Sequence, residues 1–287
     1  MHIYYFHGFK GKHNFGDELN SWLWNKLVPK IKTKGNSSSI VAIGTLLNKQ
    51  RMSSLKSYKK IAIFGSGTGY GVYPQKQNNW KIYFVRGPKT ANALGISNKF
   101  ALTDAAVLVR KIIKPADVEK SKRYHISYMP HWNSSIPEWQ SLCQKLDIHF
   151  IDPTDDSKKI IKQISKSEML VAEAMHGAIV ADALRVPWRP VISQGNPDVI
   201  HFKWQDWCSS LQLEYKPYRI STHGKLIKGR NIFKWRYKYY LARKELKKII
   251  KTYNPILSKD EIFFEKYNQV LDKLESFKSD LESGYFD

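Results

Sequence analysis

The sequence predicts an α/β protein in which two largely parallel sheets face each other across a cleft, with helices closing the chain. Three observations carry this expectation. Up to about Tyr218, short apolar runs alternate with longer amphipathic stretches, the pattern of strands joined by crossover helices. The alternation comes in two series of similar size, separated by a charged stretch at residues 111–122 that contains Pro115. Beyond it, two helix-period patterns fill the remainder of the 287 residues, a length that suggests two domains at roughly 150 residues each. The expected boundaries are 1–114, 115–218 and a helical segment at 219–287.

In the first series, strands are expected at residues 2–6, 40–43, 61–64, 82–85 and 105–109, where runs of four or five mostly apolar residues precede turn-forming or polar ones. Helices are expected at 17–31 and 89–94, where apolar residues recur at helical spacing. The second series has strands at 124–128, 148–151, 169–171 and 190–192, and helices near 138–146, 157–165, 176–184 and 202–211. The closing helices are read at 229–253 and 258–283.

Composition narrows the class of protein. With 42% hydrophobic and 25% charged residues the chain is neither disordered nor collagenous. Its two cysteines, Cys143 and Cys208, form no metal or disulfide pattern, and a reducing compartment is expected. The first residues lack the basic and apolar regions of a secretory signal. The longest stretch without Asp, Glu, Lys or Arg, residues 61–75, is glycine-rich and shorter than the ~20 residues of a spanning helix. A cytoplasmic location is therefore expected.

Charge is the unusual quantity. The chain carries +22 with a pI near 9.8, which should attract nucleic acid, an anionic membrane surface or a phosphorylated substrate. Between Lys225 and Lys251 there are eleven basic residues and one acid. Within that stretch Ile232, Trp235, Tyr239, Ala242, Leu246, Ile249 and Tyr253 mark one apolar arc, and lysines and arginines occupy the other. Such a helix either packs on the body with a solvated face or lies on an anionic membrane, with Trp235, Tyr237 and Tyr240 near the interface. No zinc-finger or RNA-sheet signature supports nucleic acid.

Ligands in open α/β sheets bind beyond the carboxyl ends of the strands, so the strand-to-helix junctions hold the candidate residues. At the first, Asn14-Phe15-Gly16-Asp17-Glu18, Gly16 permits a tight turn. Asn14 can cap the helix, while Asp17 or Glu18 either complements the helix dipole or serves as a base or sugar-hydroxyl acceptor. Gly65-Ser66-Gly67-Thr68-Gly69 lets backbone amides approach an anion or sugar closely, but matches neither a dinucleotide fingerprint nor a phosphate loop. Arg86 ends the fourth strand, suited to a carboxylate, a phosphate or a salt bridge. His131 follows a strand of the second series. Finally, Glu173-Ala174-Met175-His176-Gly177 leads from a strand into a helix whose first amides can bind an anion beside an imidazole able to transfer a proton at neutral pH.

Taken in order with Val85-Arg86-Gly87-Pro88 and Thr103-Asp104-Ala105-Ala106, these segments resemble the polysaccharide pyruvyltransferase family, nearest to its ketal-forming exopolysaccharide branch of the xanthan and succinoglycan type. The resemblance runs from residue 2 to about residue 217 and is strongest at 173–188. It implies two Rossmann-like domains in a glycosyltransferase B-like arrangement, phosphoenolpyruvate as donor, bound mainly by the second domain, and a sugar of a surface polysaccharide or lipid-linked repeat unit as acceptor.

The resemblance implies no cofactor and no metal, since phosphoenolpyruvate enters as a co-substrate. It assigns acid and base roles among His176, Asp17, Glu18 and His131. Donor contacts are expected from Arg86, Glu173, Gly177, Arg185 and Lys203, and acceptor contacts from Asn14, Gly16, Gly67 and Thr68. Many relatives carry an arginine two residues before the motif histidine; here the position is Ala174, which leaves Arg86, Arg185, Arg189 and Lys203 as candidates for the anion clamp. The other readings are a nucleotide-sugar glycosyltransferase of the same fold and a non-catalytic protein that binds membrane or nucleic acid through its basic helix. The expected location is peripheral, at the inner face of the plasma membrane.

Overall fold

A computed structural model describes residues 1–7, 13–32, 37–113, 123–193, 197–220, 232–252 and 254–287. The first sheet contains β1 (His2–Tyr4), β2 (Ser38–Val41), β3 (Lys60–Phe64) and β4 (Trp80–Phe84), all parallel and in sequence order. The second contains β5 (Tyr124–Met129), β6 (His149–Phe150), β7 (Ser167–Ala172), β8 (Trp188–Ile192) and β9 (Tyr218–Arg219), parallel throughout in the order β6-β5-β7-β8-β9. Central strands such as β3 are apolar without alternation, because helices cover both faces of a parallel sheet.

The connecting helices are α1 (Phe15–Leu27), α2 (Lys49–Ser53), α3 (Pro88–Ala93), α4 (Val109–Ile112), α5 (Pro137–Gln144), α6 (Ser157–Ser165), α7 (Met175–Ala183) and α8 (Pro197–Ser210). The closing pair is α9 (Ile232–Thr252) and α10 (Asp260–Glu282). Local chemistry explains several boundaries. Pro29 ends the α1 pattern by opening a 3-10 turn, Pro29–Lys32. The Asp156 carboxylate caps α6 by accepting the N–H groups of Lys158 and Lys159 at 3.1 and 3.0 Å. Helix α7 is apolar on nearly every side and accordingly buried from Gly177 to Ala183.

Two expectations need correction. Residues 105–109 are not a strand: the Asp104 carboxylate accepts the Ala106 N–H at 2.9 Å and starts a 3-10 turn, Ala105–Leu108, that runs into α4. Gly16 forms no tight turn before the helix; it lies inside the first turn of α1 with a negative φ. The short elements α2 and β9 went unforeseen, and most of the expected linker, residues 114–122, lies outside the described residues.

Tertiary packing joins the two series. Leu19 and Leu23 of α1 share one buried cluster with Ile160 and Ile164 of α6 and Ile179 of α7. Helix α10 returns to the first sheet, where Phe277 meets Trp24, Phe64 and Tyr83 at 5.4 to 6.3 Å. Helix α9 covers one face of the second sheet: Ala242, Leu246 and Ile249 are buried with Tyr128, Trp139, Val171 and Val191. Among the described residues no helix is long and apolar enough to cross a membrane.

Candidate functional site

A cavity of about 840 Å³ lies beyond the carboxyl ends of strands from both sheets. The chain after β1 contributes Asn14, Gly16 and Asp17; the segments after β2 and β3 contribute Thr45, Arg51 and Tyr70. From the second sheet come His131, after β5; His176, after β7; and Lys203, from α8. These positions follow from topology, since every parallel strand delivers its following loop to the same edge.

Helices α1 and α7 meet closely at the cavity. A Cβ placed on Gly16 would stand 2.0 Å from His176 Nδ1 and 2.3 Å from Cγ. Glycine is therefore required here by the neighbouring imidazole rather than by the local turn. The other ring nitrogen, Nε2, is buried 3.7 Å from Asp104 Oδ2, and neither atom makes a hydrogen bond. Asp104 is itself fully buried and held by the Ala106 N–H, so its free oxygen faces the imidazole.

Asp17, the residue after Gly16, is also buried. Loss of solvent pushes its carboxyl up to about 6, against the lowering effects of His176, Arg51, the Asn14 amide and Lys203. A carboxyl titrating near neutrality is equipped for proton transfer. Asn14 lines the same cavity, but its side chain does not cap α1; its amide donates to the Asp17 carboxylate. His131 also lines the cavity. Burial, then Lys203 and His176, lowers its imidazole to about 3, which favours the neutral form at physiological pH.

Residues 12–195 match the sequence pattern of the polysaccharide pyruvyl transferase family, a span that includes every cavity residue named above except Lys203. The chain belongs to that family. It is 39% identical over 235 residues to the succinoglycan biosynthesis protein ExoV of Rhizobium meliloti (strain 1021), a match covering 80% of this chain and 72% of that protein. As a polysaccharide pyruvyl transferase family member the chain is a transferase.

Seven of the expected site residues lie outside the cavity lining of this pyruvyl transferase family member. Glu18 turns away and pairs with His13 at 3.0 Å. Arg86 is fully buried; it donates from Nε to Asp206 at 3.0 Å, from Nη1 to Thr45 Oγ1 at 3.0 Å and from Nη2 to the Thr68 carbonyl at 2.7 Å. Asp206 also accepts from the Thr90 N–H and hydroxyl at 2.9 and 2.6 Å, so this pair ties α8 to the start of α3. Gly67 lets the guanidinium pass, since a Cβ there would meet Arg86 Cζ at 2.1 Å. Thr68, fully buried, supplies that carbonyl.

The remaining three have structural partners as well. The Glu173 carboxylate accepts the N–H groups of His131 and Ser193 at 2.9 and 3.1 Å, bracing the ends of β5 and β8; burial raises its carboxyl above the ordinary value. Gly177 packs against Met129 Sδ. Arg185 ends α7 in the left-handed region, φ +59°, and pairs with Asp260 at 2.6 Å at the start of α10. Arg189 donates to the carbonyls of Ile249 and Ile250 at 2.6 Å each. Of the four clamp candidates, Lys203 alone lines the cavity.

Arg51 also lines the cavity, though no sequence pattern singles it out. Its Nη1 donates to the Thr45 carbonyl at 2.9 Å, and its guanidinium lies 4.9 Å over the Phe6 ring. The five-residue helix α2 that carries it is too short for periodicity to mark. No pattern singles out Tyr70 either; its hydroxyl accepts from Lys203 Nζ at 2.6 Å, bridging the segment after β3 and α8 at the cavity.

Proposed function

We propose that the protein transfers pyruvate from phosphoenolpyruvate to a sugar of a bacterial surface polysaccharide or of its lipid-linked repeat unit, forming a pyruvate ketal and releasing phosphate. The observation that carries this reading is the union, in one cavity, of a buried carboxyl poised near pH 6, the imidazoles of His131 and His176, and three cationic side chains, Lys49, Arg51 and Lys203. Family membership supports pyruvyl transfer, and the name of the ExoV relative supports an exopolysaccharide acceptor.

In this reading Lys203 and Arg51 hold the donor's carboxylate and phosphate, replacing the arginine that Ala174 lacks. His176 delivers a proton from Nδ1, the nitrogen beside Gly16, to C3 of phosphoenolpyruvate, which makes C2 electrophilic. Asp104, facing Nε2, orients the ring. A sugar hydroxyl adds to C2 as Asp17 takes its proton. The C2–O bond to phosphate breaks, and a second hydroxyl closes the ketal. One hydroxyl proton restores the His176 imidazolium and the other leaves with hydrogen phosphate, so the cycle balances with no metal or redox cofactor. Tyr70 and Trp132, also in the lining, offer aromatic faces to the acceptor sugar.

The same reading treats the two parallel sheets as two Rossmann-like lobes, residues 1–114 on the acceptor side and 115–218 on the donor side, in a glycosyltransferase B-like arrangement. Support comes from the separate all-parallel sheets and from a cavity that draws on both.

The test is incubation with phosphoenolpyruvate and a panel of lipid-linked oligosaccharides, with phosphate release measured and the product identified by mass spectrometry and NMR. Nucleotide sugars serve as competing donors. Ketal formation from phosphoenolpyruvate is expected, with a loss of roughly 10²- to 10⁴-fold in His176→Ala. Transfer from a nucleotide sugar instead, or near-normal turnover in a folded His176→Ala variant, overturns the reading.

A further inference from the structure

Helix α9 carries an outward stripe that neither the core nor the cavity uses. Phe233, Tyr237 and Tyr240 are 78%, 63% and 58% exposed. At about 100° per residue the three share one line along the helix, and that line continues through Lys244, Lys247, Lys248 and Lys251, all exposed. It lies opposite Ala242, Leu246 and Ile249, which are fully buried against the second sheet. Trp235, expected at an interface, is instead half-buried with its ring 5.3 Å from Tyr239, and Phe233 takes the outward place. Lys225, Lys228 and Arg230 of the same basic stretch lie outside the described residues.

We propose that α9 docks the protein on an anionic lipid bilayer, with Phe233, Tyr237 and Tyr240 in the interfacial region and the four lysines against lipid phosphates. The two halves of the stripe match the two parts of such a surface. Aromatic rings are favoured at the level of the headgroups, and each lysine near an anionic leaflet contributes about 1 kcal/mol. A solvated helix face accounts for the lysines but not for three large aromatics exposed in a row.

The helix is tied to the body at two places. Arg189, near the start of β8, holds the carbonyls of Ile249 and Ile250, and Ile256 bridges to Trp188. Lys145, just after α5, lies 5.1 Å over the Tyr239 ring. These contacts use the inner side of α9 and leave the stripe outward.

The test is co-flotation of the full chain with vesicles of phosphatidylcholine alone and with vesicles in which phosphatidylglycerol replaces part of it. The wild type is expected to float with the anionic vesicles and to be released by salt. Replacing Lys244, Lys247, Lys248 and Lys251 by Gln should weaken partitioning by about a thousandfold. Replacing Phe233, Tyr237 and Tyr240 by Ser should weaken it while leaving the salt dependence. Both variants should melt as the wild type does, because the stripe makes no core contact, and both should keep phosphate release with a water-soluble acceptor. Equal binding to both vesicle types, flotation unchanged in both variants, or preferential binding to single- or double-stranded nucleic acid overturns the proposal. Loss of transferase activity with intact flotation counts against the proposed function alone.

Discussion

Replacing Gly16 by Ala separates folding from chemistry at the α1–α7 contact. The added methyl would stand 2.0 Å from His176 Nδ1, 2.3 Å from Cγ and 2.6 Å from Cε1. Carbon contacts settle at about 3.5–4.0 Å, so the ring must retreat by about 1.5 Å. The cavity beside it gives the ring somewhere to go, at an off-rotamer cost of about 0.5–1.5 kcal/mol. Alanine in place of glycine in a helix gains up to about 1 kcal/mol, and the two effects nearly cancel. A misplacement of about 1 Å, by contrast, can cost about 100-fold in rate. The expected variant therefore melts close to the wild type and releases phosphate at least about 100-fold more slowly. Combined with His176→Ala it should do no further harm, because both substitutions remove the same group. Turnover within about threefold of wild type would refute the placement of the imidazole as the proton donor. A stability loss above about 3 kcal/mol would show that the contact serves the fold instead.

Asp17 and the Arg86–Asp206 pair give two further expectations. The Asp17 carboxyl is pushed up to about 6 from an ordinary 3.8, so the folded state binds the proton more tightly. The cost of ionising it is absent below about pH 4 and fully present above about pH 6. Asp17→Asn should therefore be more stable than wild type at pH 7–8, by on the order of 3 kcal/mol, show no gain near pH 4, and lose transfer activity. In the wild type, activity should fall as pH drops through about 6; urea unfolding and phosphate release at several pH values check both. Arg86→Met leaves Asp206 buried without its partner and should cost about 3–5 kcal/mol, whereas removing both charges with apolar residues should recover most of it. A single-variant loss under about 1 kcal/mol would mean that the joint between α8 and α3 does not depend on the ion pair.

The junction after β1 and the junction after β7 were legible because each couples a strand signal to a helix start with acid–base residues at the crossing. Asp17 and His176 accordingly lie in the cavity. Arg86 sits in a junction of the same local appearance, yet its guanidinium is consumed by Asp206, 120 residues away. Glu173 looked like part of the imidazole site but braces His131 and Ser193. Asp104 belonged to a recognisable motif without a visible task, because its partner His176 comes from the other sheet. The misread strand at 105–109 is an apolar run too short for periodicity to separate strand from buried turn.

The sequence by itself determined the α/β alternation, the two series, the closing helices and the buried face of α9, since each depends on periodicity within one segment. The tertiary structure alone decided which junctions meet. Periodicity states that a side is buried, not what it is buried against. Gly16 is small for the sake of a histidine 160 positions away, Arg51 enters the cavity from a helix of five residues, and the aromatics of α9 face outward because the sheet has claimed the opposite side. Each outcome is set by long-range packing, in which the partner's position rather than the residue's own preference fixes the role.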